Sequence, residues 1–361
     1  MAAAARALDD LVSAVAEGEP AAARALAPDG DAAARGLLGD LVANAHDLQL
    51  EGFGLHYLDE AGAVPAAGAW TAVVDATWQL AGFDDQRSRT EILVGLVVQG
   101  DRVAVTALGG GDLRTPVWMT GRVQVRRTVD TLVIDSAGDG RRISRLARVA
   151  VPVVRRVLPR WRPELVVEVP ATAAALDEAL NAAPGTYTGV AAVTTSADGS
   201  ADGPDVHVFL NPRVFAKLGP VGAQVVMSHE ATHVASGAAG SAMPLWLLEG
   251  FADYVALRDV RLPETTTAAQ IARQVRRKGV PESLPDAAKF ETTSSELGAA
   301  YESAWLACEV LAESRGEEAL VLLYRAVEDG ARLAVALRRH VGFGEHELTV
   351  RWQERLSDLA A

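Results

Sequence analysis

Cysteine is nearly absent from this 361-residue chain: Cys308 stands alone. No disulfide can form within the chain, and no cysteine-based zinc cluster can be built, so any metal must be held by histidine and carboxylate. Lysine is scarce as well, confined to Lys217, Lys278 and Lys289. The arginine bias and heavy alanine content are those of a GC-rich bacterial coding sequence. Positive charge is in deficit, and a formal net charge of −13 disfavours nucleic acid as a main partner, because a phosphate backbone would be repelled. No apolar run reaches the roughly 18 residues that a spanning helix needs. The opening stretch "MAAAARALDDLVSAVAEGEP" carries acids where a secretory signal needs an unbroken apolar core. The chain is therefore expected to be cytoplasmic, or an extracytoplasmic piece that follows an anchor. What is present, 49% hydrophobic and 22% charged residues, suits a soluble globular protein of two or three domains.

The predicted fold class is α+β. "ALDDLVSAVAEG" places Leu8, Leu11, Val12 and Val15 at helical spacing, ended by Gly18 and Pro20. A second helix is predicted over 31–46. The strand-like runs "GFGLHYL", "WTAVVDATWQLAGF", "TEILVGLVVQG" and "DRVAVTAL" follow, separated by turn residues. Two helices and an antiparallel meander make a small α+β domain, placed at 1–121. Its element order resembles the cone-shaped nuclear-transport-factor-like and ketosteroid-isomerase-like domains. "GGGDLRTPVW" lacks a phosphate-binding pattern and reads as a loop. The second domain, 122–361, begins with the strand "TLVIDSA" and the helix "RISRLARVAVPVVRRVLP". A strand "ELVVEVP", a helix "TAAALDEALN" and strands "TGVAAVTT" and "DVHVFLNP" come next. After Gly219 and Pro220 the chain reads as mainly helical. A sheet-bearing lobe thus precedes a helical lobe.

The chemistry concentrates in "SHEATHVASG", Ser228 to Gly237. Breakers at Gly219, Pro220 and Gly222 predict a helix over 221–237. His229 and His233 are i and i+4, so both imidazoles reach one ion from one face. Glu230 lies beside them as a general base, and Ala231 and Thr232 are small. A third ligand is expected on a nearby helix. "MPLWLLEGFADYVALRD" predicts a helix over 244–258, with Pro244 in its first turn and an apolar face of Leu245, Leu248, Ala252 and Val255. Glu249 interrupts this apolar setting, where a carboxylate needs a partner such as zinc. Asp253, one turn on, can accept the ring N–H of a ligating histidine.

"HEATH" with "WLLEGFADY" is similar to the gluzincin metallopeptidases, whose signature is HExxH followed by a helix bearing Glu and often ExxxD. The form WLxEGxAxY resembles the peptidase-MA-like bacterial branch and the aminopeptidase-like members. The resemblance covers about Thr131 to Ala361. It implies one zinc per chain on His229, His233 and Glu249, with Asp253 behind them and a peptide or protein as substrate. Metzincins differ, since "HEATHVASGAA" has Gly237 but no third histidine. Family members often carry a tyrosine on a later helix that binds the oxyanion, and "GAAYESAWLACEVLAESRG" offers Tyr301. In the family the substrate lies along a sheet edge. The matching segment is "TGVAAVTT", with Gly189, Val190, Ala191 and Ala192 as substrate-binding candidates by β-augmentation. The implied activity is a zinc peptidase in which the metal activates a water and Glu230 is the base.

Two other readings stand beside it. The metal site can be structural or relict, with the N-terminal domain capturing a ligand or partner; the intact Glu230 speaks against this. The N-terminal domain can be an isomerase-type enzyme built on Asp75 and Tyr57. His46, His56, His207, His340 and His346 lack partners at ligand spacing and read as structural or surface residues. Cys308 reads as core.

Overall fold

The structure, a computed structural model, describes residues 2–62, 68–200, 203, 205–237 and 243–361. The fold class is α+β. The chain divides into two compact units: residues 1–145 with 164–217, and 146–163 with 218–361. The boundary expected near Gly121 lies inside the first of these. The reason is a shared core: Leu8, Leu38, Val74 and Ile92 belong to the same buried cluster as Val123, Leu132, Ile134 and Val166.

In the first unit, three helices rather than two precede the meander: α1 (Ala2–Glu17), α2 (Pro20–Ala25) and α3 (Ala32–Leu48). Pro20 does not only stop α1; it opens α2 at the first helical position, where its missing N–H costs nothing. Asp31 caps α3 by accepting from the Ala34 N–H. Strands β1 (Leu50–Ala61), β2 (Ala69–Leu80), β3 (Ser88–Gln99) and β4 (Arg102–Leu108) form one antiparallel sheet in that order. Burial in β2 alternates along the strand, as one face meets the core. "GGGDLRTPVW" is irregular only as far as Pro116; Val117 and Trp118 begin a short, buried 3-10 helix that ends at Met119, where a loop was expected throughout.

A second sheet has the order β5 (Gln124–Arg127), β6 (Thr131–Asp135), β7 (Leu165–Val169), β9 (Val206–Leu210), β8 (Ala192–Ser196). β6, β7 and β9 run parallel. Both β6 and β7 are buried along their whole length, the condition that selects continuous apolar runs. Asp135, at the end of β6, accepts from the N–H groups of Ala137, Gly138 and Gly140 and so seats the start of α4 (Gly140–Val157). α5 (Ala173–Ala179) lies between β7 and β8. The strand expected from "TGVAAVTT" begins only at Ala192. Gly189, Val190 and Ala191 precede it outside the strand, a correction with a clear cause. Asp177 of α5 accepts from the Gly185 and Tyr187 N–H groups, and Asn211 donates to the Tyr187 carbonyl, so the segment is tied into turns. β8 is an edge strand, antiparallel to β9.

Among the described residues, the α-helices after β9 are α6 (Pro212–Phe215), α7 (Pro220–Ser236), α8 (Leu245–Leu257), α9 (Glu264–Thr267), α10 (Ala269–Lys278), α11 (Leu297–Arg315), α12 (Glu317–Glu328), α13 (Leu333–Ala336) and α14 (Glu345–Ala360). α6 falls in the first unit and the others in the second. Among the described residues no helix is long and apolar enough to cross a membrane.

Candidate metal centre

Three helices of the second unit build the centre. α7 starts with Pro220 in its first turn and ends at Gly237, whose φ of 68° is the left-handed C-cap that glycine favours. The expected span of 221–237 is met within a residue. α8 packs on α7 and on α11, so more of it is buried than one face. Leu245 and Leu248 of the expected apolar face are only half-buried, whereas Trp246, Leu247, Gly250, Phe251 and Tyr254 are buried. Gly250 sets the spacing to α11. A methyl group there would lie 2.3 Å from the Ala304 carbonyl oxygen and 3.1 Å from Cys308 Sγ. Only glycine allows this approach, and it brings Tyr301, one turn before Ala304, to the residues around Glu249. Cys308 is buried core, as expected.

His229, His233 and Glu249 converge. The two Nε2 atoms are 3.0 Å apart, and Glu249 Oε2 lies 3.1 Å from His229 Nε2 and 3.3 Å from His233 Nε2. The donors of a tetrahedral zinc site, at about 2.0–2.1 Å from the ion, are about 3.3 Å from one another. The three atoms match that spacing and come from residues zinc accepts. Among the described residues this is the one group of three or more such side chains so placed. The charge balance agrees. Glu230, Glu249 and Asp253 bring three carboxylates to a largely buried place, which a divalent cation would compensate.

Asp253 Oδ1 lies 2.8 Å from His229 Nδ1. A proton held there leaves Nε2 with its lone pair toward the ligand triangle. Burial alone would lower the affinity of His229 for a proton, but Asp253 and Glu249 raise it well above the ordinary histidine range. Burial would likewise raise the Glu249 carboxyl. The charge of His233 and the hydrogen bonds from both imidazoles hold it well below the usual carboxylate range. Glu230 is buried on α7 next to His229.

The Tyr301 ring is 5.9 Å from the His229 ring and interacts with the Glu249 carboxylate. Burial first, then the charges of Glu249, Glu230 and Asp253, push its phenol far above the usual tyrosine range, so it stays a neutral donor. Phe290 meets the Tyr301 ring edge-to-face at 5.4 Å and steadies it. Tyr324 stacks on Phe251 at 4.1 Å and donates to Ser236 Oγ, tying the end of α7 to α12. Sequence reasoning missed Phe290, Tyr324 and the packing role of Gly250. Only the last left a signal, a glycine inside a helical pattern.

Ala192 is on β8, in the first unit. Asp75 pairs with Arg89 at 2.7 Å, and the Tyr57 hydroxyl is buried with no hydrogen-bond partner among the described residues, so these two do not form an acid–base pair. His46, His56 and His346 are exposed and His340 half-buried. His207 is different. It is buried, with Nδ1 2.8 Å from Glu168 Oε1 and Nε2 3.1 Å from Asp84 Oδ1. Burial opposes its charge, but the hydrogen bonds to Asp84 and Glu168 win and push its pKa up to about 10. It is structural, as expected, but as a cation between two buried carboxylates.

Compared with family models and with curated proteins, the chain matches none.

Proposed function

We propose that this chain is a zinc-dependent peptidase that hydrolyses peptide bonds in a peptide or protein substrate. The observation that carries the reading is the triangle of His229, His233 and Glu249 donor atoms, with Glu230 buried beside it. A zinc ion held by these three would supply Lewis acidity, polarising the scissile carbonyl and making a water acidic. Glu230 acts as the base: its carboxylate takes a proton from the attacking water and returns it to the leaving amine. Tyr301, held neutral, donates its phenolic hydrogen to the oxyanion that develops on the carbonyl. Asp253 fixes the His229 tautomer.

The test begins with elemental analysis of protein purified without chelator, wild type and Glu249→Ala. About one zinc per chain in wild type and a clear loss in the variant are expected. A peptide library then follows, with Glu230→Gln as the inactive control. No zinc in wild type, even after zinc is added to folded protein, overturns the reading. Zinc bound without cleavage of any peptide overturns its catalytic half and leaves a structural metal site.

A further inference from the structure

The segment from Gly140 to Pro163 runs against the charge of the chain. It holds eight arginines and no acidic residue, in a protein of net charge −13. Most of it is α4, whose apolar side is packed: Ile143, Ala147, Ala150, Val151, Val154 and Val157 are buried. At about 100° per residue, Arg141, Arg145, Arg148, Pro152 and Arg155 fall within about 80° of arc on the opposite side. All five are exposed. From Arg141 to Arg155 the row is about 21 Å long. Arg142 and Arg156 are engaged, with Asp139 and Asp259. Among the described residues, Arg141, Arg145, Arg148 and Arg155 have neither an ion pair nor a hydrogen bond from their guanidinium groups.

Four unpaired, collinear guanidinium groups are a built anion surface, since each can take a phosphate oxygen pair in its planar fork. The net negative charge of the chain does not cancel them. At physiological salt a charge is felt over about 8 Å, so an anionic surface touching this face meets its arginines and not the mean charge of the chain.

We propose that this face of α4 docks on an anionic phospholipid surface. The residues between and after the arginines favour lipid over nucleic acid. Val149 is 49% exposed at the margin of the row, and Pro152 lies within it. Trp161 is half-exposed between Arg160 and Arg162, just past the helix end. Apolar side chains and a tryptophan flanked by arginines suit the headgroup region. The segment has no asparagine or glutamine to read base edges. The contact is peripheral and electrostatic.

The test is co-sedimentation of the full chain with phosphatidylcholine vesicles, with and without about a third phosphatidylserine, at low and at raised salt. Wild type should pellet only with the anionic vesicles, and raised salt should release it. The triple variant R145E/R148E/R155E should bind at least ~100-fold more weakly, as three arginine contacts are lost and reversed. R145K/R148K/R155K should retain most of the binding. Val149→Asp should weaken vesicle binding further than one added charge explains. Circular dichroism and urea midpoints of all variants confirm that they fold. Equal binding to neutral vesicles, no binding to anionic ones, or binding indifferent to the triple glutamate variant overturns the proposal. Capture of a DNA duplex or RNA strand without vesicle binding overturns it too and assigns the face to nucleic acid.

Discussion

Alkaline pH will weaken this protein through one residue, His207. The side chain is buried between Asp84 and Glu168, and its folded pKa stands at about 10. In the unfolded chain it returns to about 6.5. A group whose folded pKa is raised contributes stability that is full below the unfolded value and is lost as pH climbs through the folded one. The window is therefore about pH 6.5 to 10. Integrating the linkage between about pH 7 and 9.5 gives a loss of roughly 3 kcal/mol, a large share of a typical domain's stability. Urea unfolding at the two pH values, on wild type and on His207→Gln, measures it. The variant should be less stable by about 3–5 kcal/mol near neutrality, because two carboxylates are left buried without their cation. It should lose much less between the two pH values. If wild type and variant lose the same amount over that interval, His207 is not the charged group and the reasoning fails.

Gly250→Ala should destabilise by about 1–3 kcal/mol in urea, because the new methyl meets the Ala304 carbonyl 2.3 Å away. The shift of α11 should also slow peptide cleavage while zinc content holds. Asp253→Asn should lower zinc affinity by about 10–100-fold, read by competition with a chelating dye, since the partner of His229 Nδ1 changes from acceptor to ambiguous. Tyr301→Phe should lower kcat by about 10²–10³ with KM and zinc content unchanged, the signature of a lost transition-state donor. A kcat like wild type would remove Tyr301 from the chemistry.

The parts of the fold that sequence predicted well are those written in local signals. α7 is bounded by Pro220 and by Gly237, and both act within one turn of where they stand. The i, i+4 histidines need only the helix itself to face one point, and Glu249 was findable because a carboxylate in "WLLEGF" demands a partner. The errors share a different cause, contacts between residues far apart. "TGVAAVTT" alternates like a strand from its first residue, but Asp177 and Asn211 tie down the stretch before Ala192. The loop near Gly121 was recognised, yet it does not separate two cores, because Val123, Leu132 and Ile134 join the cluster of Leu8 and Leu38. The Asp84–His207–Glu168 network joins three distant segments and has no spacing signal. Its one trace was Glu168 inside "LVVEV", a charge in a run too apolar for an exposed strand.

Removal of metal should separate a centre that works from one that merely holds the fold. α8 uses adjoining faces for two tasks. Glu249 and Asp253, one turn apart, meet the histidines of α7, while Gly250 and its neighbours pack against α11. The packing side rests on apolar contacts. Leu247, Phe251, Val255, Leu306 and Leu311 are completely buried, and each such side chain contributes about 1.5–3 kcal/mol. Dialysis against a chelator should therefore leave the far-ultraviolet circular dichroism unchanged. The unfolding midpoint should fall only by the mass-action amount set by free zinc and its Kd. Zinc added back should restore the midpoint and, with it, peptide cleavage. Loss of helicity on chelation would show that α7 and α8 need the ion in order to fold. The helices would then depend on the metal as small zinc domains do, and the structural reading of the site would displace the catalytic one.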